Sequence, residues 1–366
     1  MSQSSRLAAF HHLLLRVDST LPDELVAEAR TWLAAGMLVD VAQAVVFTAM
    51  TGRVALDPAD IALLRETLGE IGGDTDPLAE IETATAEVMP LYGLAPVGPE
   101  VLADHGELIP YNVDLTRSDG GPAGPDGVDT ALTGAIGEES GLLALWRCWR
   151  YPALDTQWPP AKRMYLVYAA DPTGGENLPG ITARLQRVLA DAGEVDPLVT
   201  VFSDADTLPM FQRTALGFAA LLWTAEPQPE VRIARLFDPL DSGTADRAPA
   251  ADDPLDADER DRVLRYLAHG VPLVITTTLF DDVVDPARGA SVPMSFRTDG
   301  TWVWSDAVAY YLDQHGLAPE ADFTAHIRGG RYAVPEVDVL SLHRALAAVQ
   351  APVAAQEASP VGLVTG

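Results

Sequence analysis

Residues 164–169 read Met-Tyr-Leu-Val-Tyr-Ala, a short apolar run of the kind that forms a buried β-strand. Apolar runs and helical periodicity on its C-terminal side predict, in chain order, a helix at 178–192, a strand at 198–202, a helix at 208–223 and a strand at 231–237. A β-α-β-α-β order favours a small sheet of parallel strands joined by right-handed crossovers. The sequence therefore predicts a middle α/β domain, which we place at residues 128–240.

The segments that flank this unit predict two further domains. Residues 1–103 read as helical, with capped apolar segments that begin near Thr20, Asp40 and Asp57. Residues 257–350 predict an α+β domain that contains a β-hairpin. The expected fold class is thus a mixed multidomain one: a helical domain, an α/β unit and an α+β unit.

Breaker-rich segments separate the predicted domains. Glycine, proline and aspartate dominate residues 104–127 and 241–256, which we interpret as linkers. A short helix at about 138–149 is expected after the first linker. Residues 351–366 are expected to form a loose tail.

The charge of the chain limits the classes of partner. Its 53 Asp and Glu residues against 24 Lys and Arg residues give a net charge of −29, and Lys162 is the single lysine. The negative electrostatic potential that this charge produces repels nucleic acid and anionic membranes, and it attracts basic proteins. The single cysteine, Cys148, excludes an internal disulfide and is expected to be a buried structural thiol. No apolar run is long enough to span a membrane, and a cytoplasmic location is expected.

The hairpin at 292–304 is the clearest local signal. Asp299-Gly300 is a dipeptide that suits a two-residue turn, and such a turn pairs Arg297 with Trp302. This register places Arg297, Trp302 and Trp304 on one face, opposite an apolar face that we expect to meet the core.

Two interpretations of that aromatic face remain open. Interfaces are enriched in Trp, Tyr and Arg, so Arg297, Trp302 and Trp304 are candidates for a partner-binding surface, which Tyr310 and Tyr311 on the next helix would extend. The alternative is a structural stack that the following helix covers.

No convergent catalytic set is visible. Asp281, Asp282 and Asp285 follow a predicted strand and are weak candidates for Mg²⁺ or Ca²⁺ ligands, although a solvated acidic turn is the favoured interpretation. The seven histidines form no metal motif, and Ser140 lacks a nucleophile elbow. The sequence predicts no cofactor and no metal.

Three short strings carry a resemblance. Phe10-His11-His12-Leu13-Leu14, residues 206–213 (Asp-Thr-Leu-Pro-Met-Phe-Gln-Arg) and residues 296–304 (Phe-Arg-Thr-Asp-Gly-Thr-Trp-Val-Trp) resemble acidic proteins of actinobacteria to which no activity is assigned. The resemblance therefore implies no catalytic or binding residues.

The sequence favours a non-enzymatic protein that binds a basic partner through an acidic surface, such as a toxin-immunity protein or a secretion chaperone. One alternative is an enzyme or a nucleotide- or metal-linked regulator, with a ligand near residues 171–177 and 203–207 of the α/β unit. Another is a structural component of a larger assembly. The sequence does not predict the oligomeric state.

Overall fold

The computed structural model describes residues 2–87, 92–117, 120–152, 160–170, 173–236 and 254–351. The chain divides into two compact units, Met1–Pro227 and Gln228–Gly366. Helices and sheets occur in both, so the mixed α/β class that the sequence predicts is confirmed.

The first unit combines eight helices with six strands among its described residues. The helices are α1 (Gln3–Val17), α2 (Asp23–Ala34), α3 (Leu38–Gly52), α4 (Pro58–Glu70), α5 (Pro99–His105), α6 (Gly127–Glu138), α7 (Leu178–Asp191) and α8 (Met210–Leu216). The strands are β1 (Tyr92–Ala95), β2 (Val113–Asp114), β3 (Leu142–Pro152), β4 (Lys162–Ala169), β5 (Leu198–Phe202) and β6 (Ala220–Thr224).

The strands form one mixed sheet in the order β2-β6-β3-β4-β5, and β1 adds to the end of β3. The predicted parallel pairing of β4 with β5 is present. The long strand β3, however, runs antiparallel to β4 and β6 at the centre of the sheet. The prediction of a short helix at about 138–149 is therefore wrong, because Leu142–Pro152 form a strand. Aromatic residues packed on both faces of a central strand favour β structure there.

Two more predictions for this sheet are wrong. The helix expected at 208–223 is the short helix α8 followed by the strand β6, because Gly217 ends the helix. Of the strand expected at 231–237, only Arg232–Ile233 form a strand. These two residues belong to the second unit and pair with another strand of that unit. The middle sheet therefore contains no third parallel strand from that segment.

The N-terminal helices belong to the same compact unit as the sheet. Helices α1 and α2 pack against α7, and Asp23 at the start of α2 accepts from Arg150 of β3 and lies 3.3 Å from Nζ of Lys162. The predicted linker at 104–127 is thus not a boundary between compact units. Residues 120–127 instead lead into α6, where Asp126 forms a reciprocal capping box with Asp129.

The second unit contains four helices and six strands among its described residues. The helices are α9 (Ala257–His269), α10 (Asp306–His315), α11 (Ala321–Gly329) and α12 (Val339–Gln350). The strands are β7 (Arg232–Ile233), β8 (Val271–Val274), β9 (Leu279–Asp281), β10 (Ala290–Pro293), β11 (Phe296–Thr298) and β12 (Trp302–Ser305). They form a sheet in the order β7-β12-β11-β8 and a separate ribbon of β9 and β10.

The sequence of this region predicts helices at about 257–269, 305–315, 319–327 and 335–349, and the structure contains them as α9, α10, α11 and α12. Helix α9 spans the predicted residues because Asp256 accepts a hydrogen bond from the backbone N–H of Glu259 and Gly270 follows its last turn. Most of the predicted linker 241–256 and nearly all of the predicted tail 351–366 lie outside the described residues. No helix among the described residues is both long and apolar enough to cross a bilayer.

Candidate binding surface

The hairpin of the second unit has a different register from the predicted one. Arg297 lies opposite Trp304, and Thr298 lies opposite Val303, so the two central turn residues are Gly300 and Thr301. Gly300 adopts a φ of +88°, and the Asp299 carboxylate accepts from the backbone N–H groups of Thr301 and Trp302. Glycine at the first central position is what a type II′ turn requires.

The shift leaves Arg297, Trp302 and Trp304 on one face, as predicted, but that face is covered. Trp302 and Trp304 are 2% and 0% exposed. Trp302 stacks on Phe323 of α11 with ring centroids 4.9 Å apart, and the indole N–H of Trp304 donates to the carbonyl oxygen of Leu267 in α9. The proposed partner surface at these two tryptophans is wrong: helices α9 and α11 bury them in the core.

Arg297 has a structural role as well. Its guanidinium pairs with Asp306 at 2.7 Å and donates to the carbonyl oxygens of Ala268 and Gly270. It therefore ties the hairpin to the end of α9 and the start of α10.

Tyr310 and Tyr311 line a buried polar cluster around Asp282. The Asp282 carboxylate accepts from the Tyr310 hydroxyl at 3.0 Å and lies 2.6 Å from Nε2 of His315. Burial alone raises the pKa of Asp282, but hydrogen bonds from the Asp285 backbone and from His315 hold that pKa well below its ordinary value. The Tyr311 hydroxyl accepts from the backbone N–H of Val283. Both tyrosines thus anchor the loop after β9 instead of extending an exposed patch.

The three aspartates do not converge on an ion. Asp282 is buried in the cluster just described, Asp285 pairs with Arg288 at 3.2 Å, and Asp281 is exposed at the end of β9. Within the described ranges, no group of three or more His, Cys, Asp or Glu side chains is placed to hold a metal ion.

The most exposed apolar stretch of the second unit precedes and includes this loop. We call residues 275–285 the exposed segment. Its apolar side chains are largely open to solvent: Ile275 81%, Leu279 50%, Phe280 47%, Val283 49% and Val284 46%. Five of the twelve exposed large apolar residues in the described part of the chain therefore fall within ten positions. Contiguous exposed apolar side chains mark interaction sites in proteins.

The backbone of the exposed segment offers a second means of contact. Strand β9 pairs with β10 alone in the described residues, with Phe280 opposite Val292. No other strand of the described part of the chain pairs with the second edge of β9, so its backbone groups are open to pairing with a further strand. The exposed segment carries the carboxylate of Asp281 between its apolar residues and that of Asp285 at its end.

The first unit carries an acidic stretch at residues 66–87. It contains no Lys, Arg or His, and its seven carboxylic acids are all exposed: Glu66, Glu70, Asp74, Asp76, Glu80, Glu82 and Glu87. Arg6 pairs with the first two. A negative potential at this surface attracts cationic molecules.

The site expected for the alternative α/β function is small. Described residues after β4 include Glu176 and Asn177, which line a cavity of about 230 Å³ together with Glu139 and Arg184. Glu139 and Arg184 pair with each other at 2.5 Å. Typical small-molecule pockets measure about 300–1,000 Å³.

The sequence contains a signal for the exposed segment that we interpreted differently. Residues 271–279 are rich in β-branched side chains and predict a single strand, whereas the structure divides them between β8 and β9. The Thr276-Thr277-Thr278 run between the two strands contains no large apolar side chain. The backbone N–H of Thr276 donates a 3.1 Å hydrogen bond to the hydroxyl oxygen of Ser295. Sequence position alone does not reveal that Leu279 and Phe280 of the β9–β10 ribbon remain about half exposed.

The chain matches no protein-family model, no curated protein and no solved structure.

Proposed function

We propose that this protein acts by binding a basic protein partner, and that the exposed segment 275–285 contacts that partner. The observation that carries the proposal is the run of exposed apolar side chains from Ile275 to Val284 beside the carboxylates of Asp281 and Asp285. Apolar side chains supply most of the free energy of association when an interface buries them.

The charge of the chain supports a basic partner. At a net charge of −29, an approaching acidic protein is repelled and a basic one is attracted, which raises the association rate with the basic protein. The effect weakens as salt shortens the Debye length, about 8 Å at physiological ionic strength.

The free edge of β9 supports a specific mode of contact. An extended segment of the partner that pairs with Leu279–Asp281 would add a strand to the β9–β10 ribbon. Basic side chains on that segment would meet Asp281, and apolar ones would meet Leu279 or Phe280. Neutralising a basic toxin and escorting a basic secretion substrate are two roles for such binding without turnover.

The test is capture by the immobilised full-length protein from a lysate of its own organism, at low and at high salt. A Leu279→Ser/Phe280→Ser variant is compared with a Phe47→Ser variant, because Phe47 is 69% exposed on helix α3 in the other unit. We expect the wild type and Phe47→Ser to retain the same basic protein at low salt. The double variant and high salt should release it.

Two outcomes would contradict the proposal. One is capture of the same protein by the Leu279→Ser/Phe280→Ser variant. The other is a captured protein that is acidic or insensitive to salt. Circular dichroism of each variant checks that the fold is retained.

A further inference from the structure

Four arginines converge on one depression of the second unit, which is unusual for so acidic a chain. Arg262 and Arg265 of α9, with Arg328, Arg331 and Tyr332 at the end of α11, line a depression of about 470 Å³. Residues three apart on a helix share a face, so Arg262 and Arg265 point to the same side of α9. The chain thus gathers four of the eleven arginines that follow residue 227 at one place.

The backbone that presents this cluster is held in an uncommon conformation. Arg331 and Tyr332 are consecutive residues with φ of +54° and +59°, a region that side chains other than glycine rarely adopt. The backbone N–H groups of Arg331 and Tyr332 donate to the carbonyl oxygens of Arg328 and Ile327, each at 3.0 Å, and fix the turn. Left-handed non-glycine residues of this kind cluster at ligand-binding sites.

Tyr332 is fixed from two directions. Its hydroxyl donates to Oε1 of Glu259 at 2.7 Å, and the Arg262 guanidinium lies 4.3 Å from the centre of its ring. The contact with the ring holds the Arg262 head group at the depression.

Only one member of the cluster has an acidic partner within the described ranges. Arg328 pairs with Glu259 at 2.7 Å, and the hydrogen bonds from Arg328 and Tyr332 lower the pKa of the Glu259 carboxyl to about 2. Arg262 and Arg265 donate from Nε to carbonyl oxygens of their own helix, each at 3.3 Å.

No carboxylate of the described part of the chain pairs with Arg262, Arg265 or Arg331 within 4.0 Å. Arginines elsewhere, such as Arg147 and Arg235, pair with Asp129 and Glu320. Glu259 thus supplies one negative charge against four guanidinium groups, and the remaining like charges repel one another, so a bound anion would reduce that repulsion.

We propose that this depression binds a small molecule that carries a phosphate or diphosphate group. The guanidinium fork matches the oxygens of a phosphate in two parallel hydrogen bonds, and several forks suit an anion with more than one negative charge. A volume of about 470 Å³ exceeds the space that a lone phosphate fills and lies within the range of small-molecule pockets. The inference is independent of the exposed segment and of any protein partner.

The overall negative charge does not prevent such binding. Exposed charges farther away than a Debye length are largely screened, whereas the four guanidinium groups line the ligand's own depression. The charge does disfavour a long polyanion such as nucleic acid, which would also lie along acidic parts of the surface.

The experiment is isothermal titration of the full-length protein with inorganic pyrophosphate and, separately, with ribose 5-phosphate, at constant ionic strength set with chloride. We expect saturable binding of one molecule per chain, and we expect Arg331→Gln and Arg265→Gln each to weaken it at least tenfold. Arg187→Gln is the matched control, because Arg187 is an exposed arginine on α7 of the other unit.

The two ligands distinguish the possible sources of the phosphate. Tighter binding of ribose 5-phosphate indicates a phosphorylated metabolite, and tighter binding of pyrophosphate indicates a diphosphate group. The inference is overturned if neither ligand binds above the chloride background, or if Arg187→Gln weakens binding as much as Arg331→Gln does. Unchanged circular dichroism of the variants separates loss of the site from loss of the fold.

Discussion

Nε2 of His11, in the middle of α1, donates a 2.8 Å hydrogen bond to the backbone carbonyl oxygen of Val201 in β5. The imidazole is 2% exposed. This bond joins the first helix of the chain to a strand 190 residues later. It shows directly why the N-terminal helices and the sheet form one compact unit.

This contact predicts a dependence of stability on pH. Burial, partly offset by the hydrogen bond to Val201, lowers the pKa of His11 from 6.5 to about 3. Between these values the unfolded chain binds a proton that the folded chain does not, so stability falls as the pH falls. We expect this histidine to remove about 2 kcal/mol from the free energy of unfolding between about pH 7 and about pH 5.

Urea unfolding at a series of pH values measures the effect. His11→Gln should flatten the dependence in this range, because glutamine does not titrate. The control is His105→Gln, at an exposed histidine. An identical pH dependence in wild type and His11→Gln would refute the prediction.

The buried pair of Asp18 and Arg30 gives a second prediction. The two side chains are 3% and 2% exposed and lie 2.9 Å apart, and the Gln212 amide also donates to the Asp18 carboxylate. Asp18→Asn would leave the guanidinium buried without a counter-charge, which costs about 3 kcal/mol or more. Denaturant titration should show that loss. Glu66→Gln, which disturbs an exposed pair with Arg6, should cost less than about 1 kcal/mol.

Gly270 gives a third prediction, because the Trp304 ring packs directly against its Cα. A Cβ at this position would overlap the indole, whose Cη2 atom would lie 2.7 Å away. Gly270→Ala should therefore destabilise the second unit by about 1–3 kcal/mol. Gly134→Ala is the matched control, because a Cβ at this helical position meets nothing within 4 Å. Alanine there should stabilise the protein by about 0.5–1 kcal/mol. Equal thermal shifts for both variants would contradict the packing of Trp304.

Cys148 gives a fourth prediction. It is 0% exposed on the central strand β3, and burial raises the pKa of its thiol. The folded protein should not react with a thiol reagent such as Ellman's reagent, because the thiolate is the reactive form. One equivalent should react after unfolding in guanidinium. Fast reaction of the native protein would show that β3 is not at the centre of the sheet.

Local signals account for the parts of the fold that were predicted correctly. Helix α4 begins where Asp57 caps the chain and Pro58 occupies the first turn, and helix α9 begins at the cap Asp256. A cap and its helix lie within a few residues of each other, so the sequence contains the whole interaction. The parallel pair β4 and β5 follows from two apolar runs joined by one amphipathic helix.

The errors concern residues whose conformation depends on distant partners. Residues 142–152 have enough apolar side chains for a helix, and the neighbouring strands β4 and β6 make them a strand. The hairpin face that carries Trp302 and Trp304 was assigned correctly, but helices α9 and α11 decide that it is buried. The sequence of the hairpin contains no information about those helices.

By itself the sequence determined the mixed fold class, the capped helices and the excess of carboxylates, because each depends on composition or on neighbours within one turn or strand. Only the tertiary structure decided that Leu279 and Phe280 are exposed while the two hairpin tryptophans are not, and that Arg262 and Arg331 line one depression. Burial and the convergence of like charges depend on which elements pack together. Which elements pack together depends in turn on how much apolar surface the whole chain buries when it folds.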